Sequence, residues 1–92
     1  MSPDGGRPRL APRARLRFDR HAGQWLLLYP ERGLALNESA AAIVALFTGD
    51  HAVEAIVTEL LARHPSAQRR DVERDVLGLL ERLVARRLVE LV

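Results

Sequence analysis

The sequence contains no cysteine and no lysine, and among its 92 residues it has one tryptophan, one tyrosine and two phenylalanines. The lack of cysteine excludes disulfides, thiolate metal sites and a sulfur nucleophile, and it permits a reducing compartment. The lack of lysine explains a misleading isoelectric point. All 14 basic residues are arginine, so the value sits near 10.4 although the net charge is only +2. With so few aromatics, the core has to be built from Leu, Val, Ile and Ala. No apolar run is long enough to span a bilayer, and the residues from Met1 to Pro12 hold no apolar stretch of the kind a signal peptide needs. The expectation is a soluble, cytoplasmic protein. The three histidines, His21, His51 and His64, fall in separate predicted connections without metal-ligand spacing, so they read as solvated loop residues and no metal is expected.

A chain of this length has room for one domain and one modest core. Its 48% hydrophobic and 28% charged residues place it in the globular range. Charge is unevenly distributed. The first twenty residues carry six arginines against Asp4 and Asp19, a local excess of +4, which leaves the remainder near −2. Residues 1–14, with Pro3, Gly5, Gly6, Pro8 and Pro12, combine breakers with charge and lack periodicity, so they are expected to be a flexible basic arm. Such an arm is either a solvated tail or a segment that meets an acidic partner.

Residues 15–92 read as a single α+β domain, a three-stranded antiparallel sheet followed by three helices in a winged-helix-like order. Leu16 and Phe18 alternate with Arg15, Arg17 and Asp19, the period of a strand with one buried face. Gln24 to Tyr29 is a leucine- and aromatic-rich run suited to a central strand, with Trp25, Leu27 and Tyr29 on one face. Trp25 is either a core anchor of the sheet or an exposed contact. Pro30-Glu31-Arg32-Gly33 suits a tight turn in which Pro presets φ and Gly takes the positive φ. Leu34, Ala35 and Leu36 form the third strand, an apolar edge without a blocking Pro or charge. Asn37 then caps a first helix carrying Ala40, Ile43, Leu46 and Phe47, with Gly49 at its C-terminal cap. A second helix, about His51 to Arg63, buries Val53, Ile56, Val57, Leu60 and Leu61 and stops before Pro65. A third, about Ala67 to Arg86, is capped by Ser66 and buries Val72, Val76, Leu79, Leu80 and Leu83. Gly78 is its weak point, and Leu88 to Val92 form a short closing extension.

Catalytic chemistry finds no support. Ser39 and Ser66 sit at helix starts, Asp71, Glu73 and Asp75 cannot share one helix face, and Gly5-Gly6 precedes no strand-to-helix junction. The chain is expected to be no enzyme and to need no cofactor. A DNA-binding alternative rests on Arg69, Arg70, Arg74, Arg82, Arg86 and Arg87 along the third helix and its end, but Asp71, Glu73, Asp75 and Glu81 are interleaved with them and repel phosphate.

Pro8-Arg9-Leu10, Arg15-Leu16-Arg17-Phe18-Asp19, Gln24-Trp25-Leu26-Leu27, Pro30-Glu31-Arg32-Gly33 and Leu36-Asn37 resemble the PqqD family of pyrroloquinoline quinone (PQQ) biosynthesis. The likeness continues through Ala42-Ile43, Val53-Glu54-Ala55-Ile56, Asp71-Val72-Glu73 and Leu88-Val89. Arg87 departs from it, standing where the family often has the glycine of a left-handed cap, a difference worth roughly 1 kcal/mol. The resemblance implies a recognition element for a ribosomally synthesised, modified peptide: a peptide chaperone that binds the leader of the precursor PqqA and presents it to the radical S-adenosylmethionine (SAM) enzyme PqqE. A recognition element of another modified-peptide pathway is the nearest alternative.

An edge strand is suited to such a role, because an extended peptide can add to it as a further strand. The expected contact residues are therefore Leu34, Ala35 and Leu36, with the first turns of the third helix supplying apolar Val72 and Val76 and a charged rim of Arg69, Arg70, Glu73 and Asp75. For Val72 and Val76 ordinary core packing is the competing reading, and for Leu79 and Leu80 it is the better one. The same edge could instead pair with a second copy to give a homodimer.

Overall fold

The structure, a computed structural model, describes residues 6–92. The elements in chain order are β1 (Pro8–Leu10), β2 (Arg15–Asp19), β3 (Gln24–Tyr29), β4 (Arg32–Leu36), α1 (Glu38–Val44), α2 (Val53–Arg63), α3 (Arg69–Ala85) and β5 (Val89–Leu91). The expected α+β arrangement is present: β2, β3 and β4 form an antiparallel sheet in sequence order, and three helices follow. Leu16 lies opposite Leu27 and Phe18 opposite Trp25, while Leu34 and Leu36 face Leu27 and Trp25 from the other side. Because a strand's side chains alternate, this register gathers Leu16, Trp25, Leu27, Leu34 and Leu36 on the face that meets the helices. Trp25 is half-buried at the end of that face, its ring 5.1 Å from the ring of Phe18 in an edge-to-face pair.

The helices close the core from the other side. Ile43 and Val44 of α1, Ile56, Val57 and Leu60 of α2, and Val76, Leu79, Leu80 and Leu83 of α3 are all buried, and no polar or charged side chain is buried among the described residues. With Val53, also buried, these residues make up the expected stripes of α2 and α3, except that Leu61 and Val72 lie half-exposed at their margins. Asn37 caps α1 as expected, its side-chain oxygen accepting from the Ala40 amide at 2.7 Å. That helix ends earlier than its apolar spacing suggests. Leu46 and Phe47 turn more tightly, their amides donating to Ile43 and Val44, and this drives the Phe47 ring inward. Ser66 caps nothing, because α3 starts later, with Gln68 before its first turn.

Two further expectations need correction. The arm expected over residues 1–14 is not an arm where it is described: Pro8–Leu10 pairs with Val89–Leu91, Pro8 is fully buried, and Arg9 bridges to Glu90 at 2.9 Å. The Leu10 amide also donates to Phe47, and the amide of Gly49, at φ 87°, donates to Pro8. Proline is acceptable here because it is the first residue of a three-residue strand. Residues 1–5 of the expected arm lie outside the described residues. In the β3–β4 hairpin, the residue with positive φ is Glu31, at 66°, and not Gly33. The strands are already paired at Tyr29 and Arg32, so the turn is the two residues Pro30 and Glu31, and Gly33 lies within β4 opposite Leu28.

The end of α3 is a Schellman cap. The Leu88 amide donates to the Leu83 carbonyl and the Arg87 amide to that of Val84, both at 2.9 Å, and Arg87 takes φ 62° between them. Buried Leu83 and Leu88 supply the apolar contact that accompanies this motif.

Two stability changes follow, both read by urea unfolding. Arg87→Gly relieves a side chain held in the left-handed region and is expected to raise stability by roughly 0.5–1 kcal/mol. An unchanged or lower midpoint would mean that the Arg87 side chain stabilises the cap in some other way. At exposed Gly78 an added Cβ would meet nothing within 4 Å, so Gly78→Ala should gain up to about 1 kcal/mol of helix propensity. A loss there would show that α3 bends at this position.

Candidate functional site

β4 is an edge of the sheet, paired with β3 on one side only. Among the described residues, no backbone hydrogen bond from outside the sheet reaches Arg32–Leu36. In an antiparallel ladder alternate residues direct both amide and carbonyl away from the partner, so this strand presents a row of unmet donors and acceptors. Its side chains are firmly held nonetheless. Leu36 is 6% exposed and Leu34 is half-buried against the core, whereas Ala35, on the other face, is exposed.

A groove of about 180 Å³ runs along this edge, lined by Leu34, Ala35, Leu36, Asn37, Ala40, Leu79, Arg82, Leu83 and Arg86. Its floor is apolar, from Leu36, Leu79 and Leu83, and its far rim is the last turns of α3. The groove continues past the start of α1, where Ser39, Ile43, Arg74, Asp75 and Gly78 join Ala40, Leu79 and Arg82. A concave channel with an apolar floor beside an open strand can take an extended chain, with backbone groups meeting β4 and alternate side chains entering the channel.

The expected contact residues divide between this site and others. Leu34, Ala35 and Leu36 lie at the groove, and Asp75 borders its extension. Arg69 and Glu73 do not reach it. They face α2, lining a hollow with Val53, Glu54 and Val57, and Arg69 donates to the Thr58 hydroxyl at 3.1 Å. Val72 lines a separate hollow with Leu60 and His64, Val76 is wholly buried, and Arg70 is exposed and lines none of these surfaces. The reason is length: α3 extends about 25 Å, longer than the roughly 17 Å of a five-residue strand, so only part of it can flank β4. Its first half is packed on α2, leaving the second half for the strand. Arg82, Leu83 and Arg86, with Asn37 and Ala40, are therefore groove residues that the expectation missed. The helical spacing of Leu79, Arg82, Leu83 and Arg86 was the available signal, since it places all four on one side of the helix.

The arginines proposed for the DNA alternative are also divided. Arg74 lies 3.4 Å from Asp71 and 3.5 Å from Asp75, so in the first half of α3 one arginine is engaged by two acids where a recognition helix would need free positive charge. No helix among the described residues is long and apolar enough to cross a membrane.

Comparison with known proteins identifies the family. The family model described as "Coenzyme PQQ synthesis protein D (PqqD)" matches residues 24–89. A "PqqA binding protein" of Xanthomonas oryzae is 37% identical over 86 residues, which is 94% of this chain and 92% of that relative. The solution structure of the PqqD truncation of Methylobacterium extorquens PqqCD, described as a functional and stand-alone recognition element, superposes with a TM-score of 0.77 at 33% identity, over 98% of this chain and 99% of that one. Lasso peptide synthetase B1, solved with its leader peptide, shares the fold at a TM-score of 0.73 and 24% identity, over 91% of this chain and 98% of that one. By the extent of the family match and the near full-length relative, this chain belongs to the PqqD family.

Proposed function

We propose that the chain is a peptide chaperone of PQQ biosynthesis: it binds the precursor peptide PqqA as an added strand on β4 and presents it to the radical SAM enzyme PqqE. The observation that carries this reading is the unpaired, apolar edge Leu34–Leu36 lying beside a groove with a floor of Leu36, Leu79 and Leu83. The naming of the Xanthomonas oryzae relative as a PqqA binding protein supports the choice of ligand. The Methylobacterium extorquens domain, described as a stand-alone recognition element, supports a module that works by binding.

Magnitudes divide the work between strand and groove. A net backbone hydrogen bond contributes about 1 kcal/mol, so a handful along β4 falls short of the roughly 8 kcal/mol of a micromolar complex. Burial of apolar peptide side chains in the groove supplies the balance, at about 25 cal/mol per Å². The strand therefore sets direction and register, and the groove sets strength and selectivity. The chemistry belongs to the enzyme, and this chain contributes position.

Consecutive strand residues alternate, so one of Ala35 and Leu36 points its amide outward and the other bonds to β3. Proline at the outward position removes a docking donor while sparing the β3–β4 ladder; at the other position it breaks the ladder. In calorimetric titration with synthetic PqqA, whichever of Ala35→Pro and Leu36→Pro keeps the wild-type circular dichroism spectrum is expected to bind at least about tenfold more weakly. Should both variants fold and bind as the wild type does, β4 is not the docking edge. If β4 instead pairs with a second copy of the chain, sedimentation without peptide will give a dimer that the same proline dissociates.

A further inference from the structure

Arg82 and Arg86 stand over the groove beside Leu34–Leu36 with no carboxylate opposite them. Among the described residues neither takes part in an ion pair or a side-chain hydrogen bond, and unlike the other arginines without such a partner they border this groove. The groove lining holds no Asp or Glu at this end, and the nearest acid along it, Asp75, is engaged by Arg74. Two like charges at i, i+4 repel across one helical turn. The negative end of the helix dipole makes them tolerable, but it does not require them to border the groove.

Their spacing fits an extended chain. Four residues of helix advance about 6 Å, and two residues of strand advance about 6.6–6.8 Å. A strand laid on β4 thus carries side chains i and i+2, both on one face, past successive guanidinium groups. Once a peptide covers the groove and excludes water, a guanidinium–carboxylate pair there is stronger than one in open solvent. A slip of one residue would turn both carboxylates to the opposite face, so the pair also selects register.

Resting on the peptide-binding reading, we infer that Arg82 and Arg86 are specificity residues that select a precursor carrying acidic side chains, two residues apart, on the edge of the added strand that faces α3. Aliphatic side chains an even number of residues from those acids share their face and enter the floor formed by Leu79 and Leu83.

The test is a titration of the full chain, wild type and the variants Arg82→Gln, Arg86→Gln and the double change, with two synthetic peptides. One is PqqA, and the other is PqqA with its Asp and Glu residues changed to Asn and Gln. Both arginines are exposed, so the fold should persist, as circular dichroism will check. Each single change is expected to weaken PqqA binding roughly three- to tenfold, and the amide peptide should bind wild type and variants alike. Arg82→Glu should in turn favour a PqqA in which one of the selected acids is changed to Lys. Equal binding of both peptides by the wild type, or undiminished PqqA binding by the double variant, would overturn the inference and leave the peptide-binding reading standing. If wild type binds neither peptide, both fall together.

Discussion

The whole arrangement depends on keeping one sheet edge open without letting it pair at random. An unpaired strand invites association, and many proteins blunt such edges with charge, proline or a covering element. β4 has none of these along Leu34–Leu36, but it is anchored from behind. Leu36 is buried, Leu34 packs on the core, and the chain leaves the strand directly into α1 through the Asn37 cap. The strand is therefore rigid where a partner would meet it, so ordering it on binding costs little entropy.

The parts furthest from the edge serve to place its opposite wall. The Schellman cap turns the chain from α3 into β5, and β5 is tied to β1, which is held in turn by Phe47 and Gly49. This ribbon fixes the last turns of α3, the same turns that carry Leu83, Arg82 and Arg86 to the groove. The β1–β5 ribbon and the binding wall are thus one mechanical unit. Strain at Arg87 and the exposed glycine at position 78 fall within that unit, so some stability is given up where the wall is formed.

Local patterns made much of this legible. Alternation in Arg15–Asp19, the apolar run Gln24–Tyr29, the Asn37 cap and the stripes of α2 and α3 each depend on neighbours within a few residues, and each appears where its pattern places it. β1 was not legible, because its partner lies about 80 residues away and a three-residue strand beginning with proline has no periodicity to detect. Glu31 was passed over in favour of Gly33 because residue preference names the better candidate for positive φ, whereas the register of Tyr29 with Arg32 decides the position. The edge strand was readable from its lack of charge and proline. Which half of α3 lies beside it was not, since that follows from how α2 meets Arg69, Glu73 and Leu77, a tertiary matter that one helix's spacing cannot settle.

Hydrogen exchange of the chain with and without PqqA tests the central claim most directly. Addition of an extended strand to β4 predicts that amides within Gly33–Leu36 which exchange freely in the unbound chain become strongly protected, while those on the outer edge of β2, Arg15–Asp19, keep their unbound rates. Protection that appears at β2 or on the helices, with β4 exchanging as before, would contradict it.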